Sequence, residues 1–555
     1  MRKFSISLLA VVILMAGVTS TFANEQEEGA QPASAAGPSN LALGKPYHIN
    51  QPADPQYADN GNKLTDGIRG VTAYEDEAWV GFYKGNNRDV VIDLGTNASI
   101  ATIKANFLQA TSGGIQYPNV VSISVSNNGD SWDLLRHEGA PAAFWLANPP
   151  LYEYVWDGTE HGVPGGNKHT AMAYARYVKI SFTTNVWVFL DEIEVLGYDG
   201  KVKGAKKAIA PKPEYLKPSK LATDDISDMV LLYNGHYGAG LGDWTKEEII
   251  PYLSYVDEHG KPQDWMFDGV LYLGLSSPAG RAFEMSFHGS TFEDWQWYLN
   301  KTFAENGDMD QLNEAVQEVS QQLGKEQVPF KVVLMIPYPA EPQDNFGDVD
   351  GDGISENFNA AKVGAEASLA NKKKAVEWYI DEALKRWQDK NYSHLTLSGL
   401  YWLNEEVAPD GTGDSQLIRF TSERVHDEQL KFYWIPRYRG YQFNTWQELG
   451  FDAVAYQPNH FFHDSDSSRI DDAAELAKTL GMGVEIEFDE RINTDASYRQ
   501  RLSDYLDGAK QHGYHHHTFR GYYQGNTALL DAARSDDPVV RDNYDKLYRF
   551  ITNNK

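Results

Sequence analysis

From Asp228 to the end of the chain, short apolar runs alternate with amphipathic helical stretches, and this rhythm constrains the fold more than any other feature. Eight runs have strand character: 228–234, 268–275, 330–338, 394–403, 431–437, 452–457, 483–488 and 514–520. Strands buried on both faces need apolar runs of this kind. In the clearest intervening helix, Val376, Tyr379, Ile380, Leu384 and Trp387 recur on one face. A last helix is expected at roughly 536–552. Eight strands alternating with helices predict a (β/α)8, TIM-like barrel over 221–555. An open doubly wound sheet is the competing topology, but no Gly-rich phosphate loop follows any run.

The rhythm upstream is different. Between Leu41 and Tyr198, short alternating runs such as Val120–Val125 and Tyr177–Phe182 are separated by turns such as Asn128-Gly129-Asp130. This predicts one all-β sandwich over 41–200, and with the barrel an all-β plus α/β multidomain chain. Lysines and prolines crowd 201–220, read as a solvated, semi-extended linker. Residues 24–40 are rich in Glu, Ala, Gly, Pro and Ser and read as a flexible leader. Arg2 and Lys3, an apolar run from Ile6 to Val18 and small residues at Thr21-Phe22-Ala23 read as a signal peptide over 1–23. The apolar run is short for a membrane span. A secreted, extracellular protein with no span after signal cleavage is expected.

The chain has no cysteine, which excludes disulfides and thiolate metal sites. A net charge of −29 disfavours nucleic acid and anionic membranes as partners. A monomer whose partner is an extracellular poly- or oligosaccharide is expected.

Barrel chemistry sits at the C-terminal ends of strands. Here those ends carry Tyr233, Tyr338, Trp402-Leu403-Asn404-Glu405-Glu406, Arg437-Tyr438, Tyr456 with Asn459, and Glu485-Ile486-Glu487-Phe488-Asp489. Of these, Tyr233, Tyr338, Trp402, Asn404, Arg437, Tyr438, Tyr456, Asn459 and Asp489 are expected to bind substrate. Glutamates on the apolar fourth and seventh strands are costly unless used. Those strands lie nearly opposite in an eight-membered ring. Two facing carboxylates are what glycoside hydrolysis needs: one protonates the leaving oxygen, the other attacks the anomeric carbon or activates water. Each side has alternatives. Glu406 follows Glu405, while Glu485, Glu487 and Asp489 share one strand face.

Ordered motifs in the N-terminal part resemble the discoidin family, which includes the family 32 carbohydrate-binding modules. They are Asn40-Leu41-Ala42-Leu43-Gly44-Lys45, Lys63-Leu64-Thr65-Asp66-Gly67, Ala78-Trp79-Val80, Val91-Ile92-Asp93-Leu94-Gly95, Ser126 to Trp132 and Leu190 to Val195. The resemblance implies calcium held by Asp66 and Glu192, with backbone oxygens around Leu64 and Asp191. Tyr117, Phe144, Trp145 and Trp187 are candidates for stacking on sugar rings or for the core. The end of strand four, Asn404-Glu405, and Glu487 on strand seven resemble the clan A glycoside hydrolases. That resemblance implies Glu405 as acid/base and Glu487 as nucleophile, with Tyr456 near it and Arg281 or Arg437 as candidate arginine. The whole barrel resembles a bacterial family known as domain of unknown function 4855, through Leu231-Leu232-Tyr233, Met335-Ile336-Pro337-Tyr338, Gly399-Leu400-Tyr401-Trp402 and Tyr456-Gln457-Pro458-Asn459.

Two further metal patterns stand out. Asp348, Asp350 and Asp352, with Glu356, follow the spacing of an EF-hand-type calcium loop, although its twelfth position is Asn359. His515-His516-His517 has no acid beside it to complete a zinc site. The expected function is a retaining, two-carboxylate glycoside hydrolase held to its polysaccharide by the N-terminal module. The alternative is a non-catalytic glycan-binding surface or adhesion protein.

Overall fold

The computed structural model describes residues 37–84, 88–118, 120–139, 150–158, 171–184, 186–209, 212–236, 242–324, 329–408, 413–462 and 467–552. The signal segment, most of the leader, Phe144 and Trp145 lie outside them.

The N-terminal part is an antiparallel β-sandwich. Its main order runs Ser39–Asn40, Trp187–Asp199, Arg88–Leu108, Ala173–Phe182, Val120–Ser126 and Asp133–Gly139. The 21-residue strand Arg88–Leu108 links its parts. Arg88–Asp93 pairs with Ala173–Phe182, and from Ala98 the strand pairs along Trp187–Asp199. The pairing breaks between, at Gly95, whose φ of +87° suits glycine. Alternate residues, among them Val90, Ile92, Ile103, Ala105 and Phe107, enter one core. Ser39–Asn40 already belongs to the sheet, so the sandwich starts just before Leu41.

The barrel is a closed ring of parallel strands: Asp228–Tyr233, Gly269–Leu273, Phe330–Ile336, Leu395–Trp402, Lys431–Trp434, Ala453–Tyr456, Gly483–Glu487 and Arg520–Tyr523. Seven fall inside the expected runs. The eighth does not. Helix Ala496–His512 ends on Gly513, and His517 adopts a φ of +48°, so 513–519 turns instead of extending. The strand starts at Arg520, where it pairs with Asp228. His515–His517 therefore sit at the ring's N-terminal end, away from the face that carries barrel chemistry. The ring closes on a buried polar seam. The Arg520 Nε and Tyr522 hydroxyl donate to Asp228 Oδ1 at 2.8 and 2.6 Å. Helix Ala365–Lys390 buries Val376, Tyr379 and Ile380 as its spacing predicts, and Pro538–Thr552 is the last helix.

The linker differs from a solvated spacer. Lys206–Lys207 adds a short parallel strand to Ala173–Phe182, and Val202 and Ala205 are buried. Tyr215 joins the barrel core, while the Leu216 N–H donates to Met482 O at 3.1 Å. Apolar residues among the lysines pin the segment at both ends. The domains also touch directly. Val120 packs into the barrel's core cluster, and Gly139 lies so close to the Tyr441 ring that a Cβ there would come within 2.0 Å of it. Among the described residues, no helix is long and apolar enough to cross a membrane.

Candidate active site

Strand alternation sorts the residues at the ring's C-terminal end. On strand four, Tyr401 faces the interior, where it feels the charges of Glu405 and Glu485. Trp402 faces the other way, fully buried against Tyr338 and Phe432. Tyr338 is buried and hydrogen-bonds Asp414 of helix Asp414–Asp427. Neither ring is exposed for substrate, so both leave the set of binding residues: Trp402 by strand alternation, Tyr338 by its bond to the Asp414 helix.

Beyond strand four, Asn404 holds two loops. Its Oδ1 accepts the Met285 N–H at 3.2 Å, and its Nδ2 donates to Glu406 O at 2.6 Å. Glu406 is engaged with Arg437, whose Nε donates to its Oε2 at 2.9 Å. Among the described residues no cation pairs with Glu405; its partner is the Gln457 amide. Burial, with the nearby Glu284 and Glu406 charges, pushes its carboxyl up to about 7 despite that bond and Arg437. A carboxyl poised near neutrality suits a proton donor.

On strand seven, Glu485 and Glu487 point inward and are nearly sealed from solvent, at 2% and 3% exposure. Glu487 Oε2 accepts the Tyr505 hydroxyl and the Asn459 N–H, both at 2.5 Å. Both bonds favour its ionised form, as does Arg469. Burial, reinforced by the Glu405 charge, outweighs them and pushes it up to about 7. Asn459 has a φ of +53°, which turns its N–H toward the carboxylate, and its carbonyl is held by Arg469 at 2.9 Å. Glu485 sits deeper. Gly521 of strand eight is its neighbour across the ladder, where a Cβ would be in ordinary contact with Glu485 Cγ at 3.7 Å. Its Oε1 is buried without a hydrogen bond, and burial plus repulsion from Glu487 and Glu405 holds it well above the usual carboxylate range. Asp489 is withdrawn by Arg491, at 2.6 Å from the guanidinium, and caps the short turn Glu490–Asn493.

Other expectations shift. The Tyr456 hydroxyl accepts the Arg439 N–H at 2.9 Å and its ring stacks on Phe443, so it anchors the loop after strand five. Tyr505, on helix Ala496–His512, supplies the hydroxyl to Glu487 instead. Arg281 is bound to Asp294, and Arg469 is the cation acting on Glu487. Tyr438 donates to Asp472 and lies between two guanidiniums, which makes it structural. Tyr233 packs edge-to-face with Tyr523 at 5.9 Å, above strands one and eight. Helix residues such as Tyr505 and Arg469 have no strand-end position to mark them in sequence; Gln457, one residue past strand six, does.

The candidate calcium positions fare differently. Glu192 Oε2 accepts the Gly67 N–H at 3.1 Å, while its Oε1 is buried without a partner. Burial and the Asp66 charge push Glu192 up to about 8. An orphaned buried carboxylate oxygen beside a second carboxylate fits a calcium ligand set. Asp191 is already engaged by Asn106 and the Gly70 N–H. In the second loop, Asp348, Asp350 and Asp352 bring carboxylate oxygens within 4.8 Å of one another. Asp350 also pairs with Lys374 at 2.7 Å, and the Asn359 side chain caps helix Ala360–Val363. The twelfth-position ligand is thus committed elsewhere and the fit is weaker. In the sandwich, Tyr117 is core, and Trp187 is half-buried against Tyr57, Tyr83 and Phe189.

Similar solved structures include chitosan-binding module 1 derived from a chitosanase/glucanase of Paenibacillus sp. IK-5, at 17% identity over 29% of this chain and 99% of that one, with a TM-score of 0.20. A fucose-binding module of Streptococcus pneumoniae matches at 17% identity over 29% of this chain and 96% of that one, with a TM-score of 0.22. No curated protein matches the chain. The family described as "Domain of unknown function (DUF4855)" matches residues 228–549, and the chain belongs to that family.

Proposed function

We propose that the protein is a secreted retaining glycoside hydrolase acting on an extracellular polysaccharide, with the sandwich as its glycan-binding module. One observation carries this reading. Glu405, just past strand four, lies close enough to Glu487 on strand seven for its charge to act there, and among the described residues neither carboxylate is ion-paired. In this mechanism Glu405 protonates the glycosidic oxygen as Glu487 attacks the anomeric carbon. The leaving sugar departs and a glycosyl ester forms. Glu405 then takes a proton from water, which hydrolyses the ester and frees Glu487. Tyr505 and the Asn459 N–H orient the nucleophile, and Gln457 orients the acid. Arg437 keeps Glu406 out of the reaction. A retaining enzyme holds its two carboxyls about 5–5.5 Å apart.

The non-catalytic reading requires these acids to be neutralised by arginine; among the described residues Glu406 and Asp489 pair with arginine whereas Glu405 and Glu487 do not, which favours catalysis. Secretion rests on the 1–23 segment. Calcium is proposed at Asp66 and Glu192, and secondarily at Asp348, Asp350 and Asp352. The test is a polysaccharide panel assayed with wild type, Glu405→Gln and Glu487→Gln. Hydrolysis by wild type alone is expected. Full activity in either variant, or no cleavage of any glycan by wild type, would overturn the proposal.

A further inference from the structure

Among the described residues, Phe287 and Phe462 are the exposed phenylalanines, at 91% and 41%. Singly exposed rings are ordinary on protein surfaces. These two differ in where their loops are tied. The Met285 N–H donates to Asn404 Oδ1, beside Glu405, and Phe287 follows two residues later. The Asn459 N–H donates to Glu487, and Phe462 follows three residues later.

The loops occupy opposite halves of the ring. The first leaves strand two and crosses strand three, where the Tyr338 N–H donates to Phe283 O at 2.7 Å. Met285 beside Phe287 is also 41% exposed. The second leaves strand six and leans over strand eight, with Phe462 edge-to-face against Tyr523 at 5.5 Å. Arg491, which holds Asp489, lies 5.5 Å from the Phe462 ring and fixes that side. Each of the two loops that carry an exposed phenylalanine is thus hydrogen-bonded to one of the acids or to the residue beside it.

We propose that Phe287 and Phe462 are ring-stacking platforms that take sugar units on both sides of the acid pair, so that the ligand is a polysaccharide chain lying across the barrel mouth. Pyranose faces present C–H groups that stack on aromatic rings, and burying an exposed ring supplies the hydrophobic drive. The proposal rests on the hydrolase reading and specifies its substrate as an internal stretch of chain.

The test uses the full chain in a Glu405→Gln background, titrated with a polysaccharide panel and with the matching mono- and disaccharides. Phe287→Ala and Phe462→Ala are each expected to weaken polymer binding about tenfold, equal to 1.4 kcal/mol. Phe287→Tyr is expected to restore it. Short sugars that fill one side should respond to only one of the two substitutions. The sandwich is common to all variants, so differences among them report on the barrel. With Glu405 intact, polymer viscosity is expected to fall before reducing ends accumulate. Alanine variants that bind polymer as tightly as their parent overturn the platforms, as does a panel with no bound polymer. Cleavage without phenylalanine dependence sinks the platforms but leaves the hydrolase; phenylalanine-dependent binding without cleavage does the reverse.

Discussion

A carboxyl that folding raises toward neutrality leaves a thermodynamic signature independent of any substrate. Glu405 moves from the ordinary 4.5 to about 7. With the folded pKa raised, its contribution to stability is full below about pH 4.5 and is lost as pH rises through 7. The unfolding temperature of wild type should therefore fall from about pH 5 to 8, and that of Glu405→Gln should fall less. Parallel profiles would show that Glu405 is ionised throughout. Tyr505→Phe removes the hydroxyl from Glu487 and should lower kcat about 10- to 100-fold, the worth of a hydrogen bond to a charged group. Steady-state kinetics on whichever glycan is cleaved would check it, with Tyr456→Phe as the milder comparison. The acids were legible because a glutamate on an apolar strand is conspicuous. The choice among them was not. What separates Glu405 from Glu406 is the reach of Arg437, 31 residues away, which no local pattern records; Asp489 is taken by Arg491, two residues on, a pairing that only the turn after strand seven makes visible.

Strands and helices were legible where burial has a period. The eighth strand was misplaced because its aromatic and histidine-rich approach looks extended, while the turn at 513–519 is set by backbone angles. Arg520 then matters as a closing element of the ring. Arg520→Leu leaves Asp228, fully buried, without its cation; urea unfolding should show a loss of about 3–5 kcal/mol. Unchanged stability would mean that Tyr522 alone satisfies Asp228. In the sandwich, the loop around Asp66 and the strand Trp187–Asp199 meet at Glu192. Added calcium should raise the unfolding temperature of wild type, and a chelator should reverse this. Glu192→Gln should abolish most of the response. An equal response in that variant would move the site to Asp348, Asp350 and Asp352.

At the scale of the whole chain, the sequence reads as two domains and a spacer, whereas the structure is two domains and a strap. Composition misled here: lysine and proline set the impression, but Val202, Ala205, Tyr215 and Leu216 set the contacts. The direct contact is tight enough to be tested by one glycine. Gly139→Val drives a branched side chain into the Tyr441 ring, an overpacking cost of about 1–3 kcal/mol. Calorimetry should show the two domains unfolding less cooperatively, with the secondary structure intact. A single unshifted transition would mean that the contact carries no coupling. Tyr441 also reaches toward the acids: its carbonyl accepts the Val407 N–H at 3.2 Å, two residues beyond Glu405. A module on a flexible leash offers its cargo at an effective concentration set by leash length, diluted over every orientation the leash allows. A strap fastened at both ends removes that dilution. A ligand held by the sandwich, as proposed, would meet the barrel mouth at a fixed bearing, and avidity would become a matter of direction instead of reach.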